Sequence, residues 1–466
     1  MTNEGKKARP AASVREVAAD VLYHVLEEGA YSHIELMNAF RREGMKEKKE
    51  RAFVTRVCMG TLERLYAVDA VIDAFSKTKT EKLKPYIRTI LRMSIYQLRY
   101  LDQTPTALVC NEAVRLTKKR GLAGLSGFVN GVLRSAAREP EKPDFTKLTG
   151  KKALSVQYSI PEWLLAQWLA RFGEEKTGKI LEGFYREKQV CVRRNRSRIE
   201  EAELVERLGK AGIEAKPGAY VKDALRLEQV SVIEEIPEWK EGYFQIQDES
   251  SMLVGLAAGY KKGDLVMDIC AAPGGKSLHA ADILASLGGG QVIARDISDY
   301  KCSLIEENRK RAGFSNLKIE VWDATKIDES KQGSIDVLLC DLPCSGLGII
   351  GRKPEIKYRI SREDLEGLAK LQREILTVAK EYVKPGGTLI YSTCTINPKE
   401  NEENVSWLLE QGFETEDLRP YLPESLHQDT MDSGYIQLLP GVHESDGFFV
   451  ARLRKKEGSQ QWKRIE

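Results

Sequence analysis

Cys344 and Cys394 each stand at the end of a short apolar run, in "IDVLLCDLPCSGLG" and in "GTLIYSTCT". A thiolate at such a strand end can add to an electron-poor ring carbon and so divide one difficult substitution into two easier steps. A buried, inert cysteine is the plain alternative for each thiol. The five histidines (24, 33, 279, 427 and 443) are scattered, which argues against a Cys–His hydrolase. Cys340 and Cys344 also form a C-x3-C pair, but no second pair or histidine cluster completes a ligand set, so no metal is expected.

A second group could hold a nucleoside. Cys270, Ala271, Ala272, Pro273, Gly274, Gly275 and Lys276 follow the apolar run "LVMDI" and open a helix. Small residues there let the backbone approach a ligand at the carboxyl edge of a sheet. A phosphate loop would need glycine where Cys270 stands, and no strict G-x-G-x-x-G occurs, so triphosphate and dinucleotide readings are weak. Asp296 ends the next strand, where a carboxylate can accept both ribose hydroxyls, and Asp323, in "VWDAT", ends the one after, where it can accept an adenine amine. A loop followed by two acids suits S-adenosylmethionine, a nucleoside without phosphates. Each acid could instead cap the helix that follows it.

Elements that could position these residues are visible in the hydropathy pattern. From about Tyr243 short apolar runs alternate with helical stretches: "LVMDI", "QVIAR", "LKIEV", "IDVLLC" and "GTLIYS", with helices near 277–287, 300–312, 362–382 and 400–410. This rhythm predicts a parallel sheet covered by helices on both faces. "GYIQLLP" and "GFFVARLRK" predict an antiparallel closing pair. Residues 14–138 repeat apolar positions at three- and four-residue steps, an all-α pattern. "EPEKPDFTKLTGKK" reads as a linker, and the mixed segment 153–240 as a small α+β module.

The chain has 466 residues, 42% hydrophobic and 30% charged, as expected of a soluble protein of two or three domains. No apolar run reaches the ~18 residues of a membrane span. The polar start "MTNEGKKARPAAS" offers no secretory signal, and the eight dispersed cysteines suit a reducing, cytoplasmic setting. Residues 1–140 carry 25 Lys and Arg against 16 Asp and Glu, a net +9, so the other 326 residues sum to −6. A basic front suggests a polyanionic partner; a solvated helical surface is the plainer reading.

"DICAAPGGKS", "DLPCSGLG" and "YSTCTINPKEN" together resemble the motifs of the Sun-type RNA cytosine-5 methyltransferases. "IRTILRMSIYQLRYLDQTPTALVCNEAVRL" and "FVNGVLR" resemble NusB-like RNA-binding helices. That pairing, with a small module between, is the layout of the RsmB (Sun, Fmu) family. The resemblance implies a NusB-like domain at 1–140, an α+β module at 153–240, and a Rossmann-like methyltransferase domain with a mixed seven-stranded sheet at 241–455. It implies S-adenosylmethionine as cofactor and 16S rRNA, or an early small-subunit assembly intermediate, as partner of a monomeric enzyme. By resemblance, Cys394 attacks carbon 6 of cytosine, Cys344 assists product release, Asp341 holds the base, and Asp341 also borders the cofactor. Cys344 is the rival nucleophile, since DNA cytosine methyltransferases attack from a Pro-Cys motif. Leu342 departs from the alanine usual between the Asp and the Pro, and Arg295 has no evident role. The catalytic motifs do not separate rRNA from tRNA, and the NusB-like part alone would suit a non-catalytic RNA-binding factor.

A cytosine inside a helix must be flipped out or presented by a loop to be reached. Arg352, Lys353, Lys357 and Arg359 in "GRKPEIKYR" read as a basic lip over the RNA backbone. "VRRNRSR" in the middle module is a second candidate for phosphate contacts, and the basic front a third.

Overall fold

The computed structural model describes residues 12–458 apart from 103, 188, 229 and 231. The stretch "MTNEGKKARPA", which bears on the signal-peptide reading, lies outside the described residues. Two compact units emerge: residues 1–185 with 352–359, and 186–351 with 360–466. No helix among the described residues is long and apolar enough to cross a membrane.

The first unit is built of helices. Seven run from Val14–Glu27 through Ser32–Arg42, Lys48–Glu63, Leu65–Phe75, Pro85–Tyr100, Thr106–Lys119 and Ser126–Arg138. The first is started by Ser13, whose Oγ accepts the Glu16 amide, and it buries Val17, Val21, Leu22 and Val25 along one face. Gly60 allows its helix to close on Pro85–Tyr100, because a β-carbon there would meet the Tyr96 ring at 2.0 Å. Helix Gly150–Tyr158, and helix Glu162–Gly183 from the segment expected in the middle module, fall within the bounds of this unit. The Tyr185 hydroxyl ties them in, donating at 2.8 Å to the carbonyls of Glu63 and Tyr158. The second of these helices is broken at Gly173, where φ is +75°.

The second unit holds two sheets. Strands β1 (Val190–Arg194), β2 (Glu214–Pro217), β3 (Ala224–Glu228) and β4 (Phe244–Ile246) form an antiparallel sheet in the order β2-β3-β1-β4. With helix Glu201–Lys210 packed on it, this is the expected α+β module. Then follow β5 (Leu265–Asp268), β6 (Gln291–Asp296), β7 (Leu317–Val321), β8 (Ile335–Asp341), β9 (Val383–Thr393), β10 (Phe413–Thr415), β11 (Tyr435–Leu438) and β12 (Phe448–Lys455). They form an eight-stranded sheet in the order β10-β12-β9-β8-β5-β6-β7, with β11 paired to β12. β5 to β9 pair in parallel and β12 closes the sheet antiparallel to β9. The strand beyond the seven expected is β10, three residues long and too short to show an alternating pattern.

Successive strand residues enter opposite cores, as the pleat requires. Val266, Leu339, Ile390 and Val450 pack beneath helices Glu249–Ala257, Gly275–Ser286 and Asp299–Ala312. Met267, Leu338, Leu389 and Phe449 pack on the other face with helices Arg362–Tyr382 and Glu402–Glu410. The chain goes outward from β5 through β6 to β7, then returns to β8 on the other side of β5. Strand order reverses there, which opens a crevice at the carboxyl ends of β5 and β8.

Candidate active site

The loop after β5 turns at Gly274, whose φ of +103° places it in the left-handed region favoured by glycine, and Ile305 Cγ2 would lie 3.1 Å from any β-carbon there. Beside this loop is a pocket of about 190 Å3 lined by Gln247, Ser251, Asp268, Cys270, Pro273, Lys276 and Asp341, among others. Ala271, Ala272 and Gly275 also border it, so all of the predicted cofactor loop except Gly274 is on its wall. Asp296 and Asp323, at the ends of β6 and β7, are not in this lining. Asp296 Oδ2 accepts the Ala272 amide at 2.9 Å, while Oδ1 accepts the Ile297 amide and meets Lys301 Nζ at 3.0 Å. Asp323 Oδ1 accepts the amide and hydroxyl of Thr325, the amide bond first among the contacts that lower its pKa.

Lys276 Nζ lies 2.6 Å from Asp341 Oδ2, and Ser392 donates to Asp341 Oδ1 at 2.8 Å. Burial works against the Lys276 charge, but Asp341 outweighs it and raises the ammonium above its usual pKa. Asp268 is almost fully buried; its Oδ2 accepts from Ser277 at 2.6 Å and its Oδ1 has no hydrogen-bond partner. Burial pushes this carboxyl up to about 7. An orphaned acceptor on the pocket wall fits a cofactor that brings an amino group, and the flanking carboxylates fit one that brings hydroxyls rather than phosphates.

β8 and β9 are in parallel register, with Asp341 opposite Ser392, so the turns that follow them emerge side by side. Cys344 and Cys394 thereby bring their sulfurs to 3.1 Å. The Cys344 thiol is held well above its ordinary pKa, first by the contact with Cys394, then by burial and by the charges of Cys394 and Glu400. Cys270 and Cys340 are pushed up mainly by burial, and Cys340 belongs to the core under the sheet rather than pairing with Cys344. Leu342 sits in that same core, its amide on the Ser392 carbonyl at 3.3 Å.

Two of the four residues read as a basic lip point elsewhere. Lys357 is 2% exposed and its Nζ donates to the carbonyls of Glu63 at 2.9 Å and Tyr158 at 3.2 Å. Arg359 donates to the carbonyls of Val25 at 2.6 Å and Ala30 at 2.5 Å. Burial of Lys357 inside the helical unit corrects its reading as an RNA contact, while Arg359, Arg352 and Lys353 are half-buried. In "VRRNRSR", Arg193 and Arg194 are buried, Arg196 is half-buried and Arg198 is exposed. Arg194 holds Asp223 at 2.6 Å, Arg196 holds the same carboxylate, and Arg198 meets the Ala312 carbonyl. Arg295 is also a clamp: it bonds Glu320 at 2.7 Å and Asp328 at 2.5 Å, with its guanidinium 4.8 Å from the Trp322 ring centre.

The sequence reading missed Gln247 and took Arg193, within "VRRNRSR", for a candidate phosphate contact. Arg193 is fully buried, donating to the Gln247 side chain and, at 3.1 Å, to the Gly275 carbonyl of the predicted cofactor loop. No motif marks Gln247. Asp268 was visible as a strand-end acid in "LVMDI" but was passed over.

The family description "16S rRNA methyltransferase RsmB/F" matches residues 256–454, the NusB family matches 12–138, and an RsmF/B-like ferredoxin-like domain matches 160–234. A probable ribosomal RNA small subunit methyltransferase B from Bacillus subtilis is 36% identical over 449 residues, covering 95% of this chain and 99% of its own. The ribosomal RNA small subunit methyltransferase B of Vibrio cholerae is 31% identical, covering 95% of this chain and 98% of its own. Among solved structures, PH0851 shares the fold with a TM-score of 0.82 at 23% identity, covering 97% of this chain and 100% of its own. A methyltransferase homologue from Pyrococcus horikoshii is 28% identical with a TM-score of 0.57, covering 66% of this chain and all of its own. The thiol pair and nucleoside pocket thus sit in a chain that belongs to the ribosomal RNA small subunit methyltransferase B family of S-adenosylmethionine-dependent enzymes.

Proposed function

We propose that this enzyme methylates carbon 5 of a cytosine in 16S rRNA through a covalent bond to Cys394. The observation that carries this reading is the thiol pair, 3.1 Å apart, beside Asp341 at the crevice of the sheet. Carbon 5 of cytosine is a poor nucleophile. Addition of the Cys394 thiolate to carbon 6 moves the ring's double-bond electrons toward carbon 5. Asp341, steadied by Lys276 and Ser392, is placed to hold the ring nitrogen and amine and so favour the protonated adduct. The 270–276 loop, Asp296, Asp323 and Asp341 would hold S-adenosylmethionine, which would supply an electrophilic methyl group for carbon 5 and leave as S-adenosylhomocysteine. Loss of the carbon 5 proton then returns electrons to the ring and expels Cys394, with Cys344 assisting. Arg352 and Lys353 are the two basic-segment residues proposed to meet RNA phosphates.

Incubation with methyl-labelled S-adenosylmethionine and cellular RNA, followed by nucleoside mapping, tests the reading. Label is expected as 5-methylcytosine in 16S rRNA. Label confined to tRNA would move the substrate, label on another base would refute the chemistry, and no label at all would leave an RNA-binding protein.

A further inference from the structure

Behind the two thiols lies a carboxylate with no part in the steps above. Glu400 is fully buried. Its Oε2 accepts the Ser345 amide at 2.9 Å and Gln372 Nε2 at 3.0 Å, and its Oε1 accepts the Ser345 hydroxyl at 2.5 Å and Asn397 Nδ2 at 2.9 Å. Four donors converge on the two oxygens of this buried carboxylate. Ser345 adjoins Cys344, and Asn397 belongs to the turn that carries Cys394. The Ser345 hydroxyl also meets Thr395 Oγ1 at 2.7 Å, and Gln372 donates to the Pro343 carbonyl at 2.8 Å. One side chain therefore ties both thiol-bearing turns together and to helix Arg362–Tyr382.

We propose that Glu400 is a positioning residue that ties the two thiol-bearing turns together and so holds Cys344 against Cys394 while Cys394 attacks. The proposal deepens the cytosine reading and rests on it. Two sulfurs at 3.1 Å cannot both ionise readily, so one must be favoured. Among the described residues, Glu400 and Tyr391 bear on Cys344 and Lys276 on Cys394, with Asp341 paired to Lys276. The arrangement also times the second step. Once the Cys394 sulfur is bonded to carbon it can carry no negative charge, which removes one of the influences that hold the Cys344 proton. Cys344 gives that proton to water and then accepts the proton leaving carbon 5, whose bonding electrons return to the ring as the Cys394–carbon 6 bond breaks and Cys394 departs as a thiolate.

The test uses the full-length protein with Glu400→Gln, which keeps the side chain's shape and removes its charge. Iodoacetamide labelling of Cys344, followed by peptide mass spectrometry across pH, is expected to run about tenfold faster at pH 8 in the variant. Methyl transfer is expected to slow by about tenfold in kcat with the KM for RNA unchanged. Cys344 labelling that follows the wild-type pH curve in a folded Glu400→Gln protein overturns the proposal. If Glu400→Gln does not fold, Glu400→Asp decides. The proposal expects that variant to keep slow Cys344 labelling and lose about fivefold in kcat, and wild-type turnover overturns it. The labelling needs no RNA, so a failure of cytosine methylation and a failure of this proposal are read separately.

Discussion

Gly348 donates its amide to the Cys394 carbonyl at 3.0 Å, a bond that joins the Pro-Cys turn to the strand end carrying the second thiol. With the register of β8 and β9, it brings together two sulfurs separated by 50 positions in the chain. If Cys394 attacks and Cys344 serves release, removal of the second thiol strands the RNA on the first. Cys344→Ala is expected to retain RNA as an adduct that survives denaturing electrophoresis, and Cys394→Ala to form none. The opposite pattern of shifted bands reverses the two roles.

The approach that makes the Gly348 bond possible leaves no room for a side chain. A β-carbon at Gly348 would stand 2.0 Å from the Gly447 carbonyl oxygen, and neither backbone can yield cheaply. Gly348→Ala is expected to cost about 2 kcal/mol in chemical denaturation and to lower turnover about tenfold. Wild-type activity in that variant would mean that the two turns need not be so close.

Arg193 reaches the cofactor loop from a strand of the neighbouring small sheet. Arg193→Met would leave the Gly275 carbonyl and the Gln247 side chain without their donor. Titration calorimetry with S-adenosylmethionine is expected to show a loss of about 1–2 kcal/mol, five- to thirtyfold in Kd. An unchanged affinity would show that the loop holds its shape without the guanidinium.

Lys357 predicts a pH signature. Burial lowers its ammonium to about 7, whereas a lysine in the unfolded chain titrates near ~10.4. Below the lower value the amine is charged in both states and its burial weighs fully against folding; above the higher value it is neutral in both and that cost is gone. Between them the unfolded chain binds the extra proton, so this residue's contribution to stability rises with pH. Lys357→Met titrates in neither state. The thermal midpoint of wild type minus that of the variant is expected to increase between about pH 7 and pH 10. A difference that stays flat would place the ammonium in water.

Hydropathy made the large sheet legible because strand and helix periods differ and each strand of the crevice is long enough to show its own. The loop at 270–276, the two thiols and Asp341 were legible for a related reason: each follows a strand, where function in an open α/β sheet is built. The positive charges were read less well. Lys357, Arg359 and the arginines of "VRRNRSR" look like solvated or RNA-facing residues because their partners are mostly backbone carbonyls and carboxylates far off in the chain. Lys357 and the carbonyl of Glu63 are 294 positions apart, and a carbonyl leaves no mark on the sequence around it. Arg193 belongs to that stretch and was read the same way, and Gln247 escaped altogether because its partner is likewise far off in the chain. β10, only three residues long, escaped because that length shows no period.

The helical unit takes its last eight residues, 352–359, from far along the chain. On a ribosome making about 5–20 residues per second, the 174 residues between Tyr185 and Arg359 take roughly nine to thirty-five seconds. During that interval the carbonyls of Val25, Ala30 and Leu62 wait for donors not yet synthesised. Nascent chains stalled before residue 352 would then expose this unit to protease, and chains stalled well beyond residue 359 would protect it.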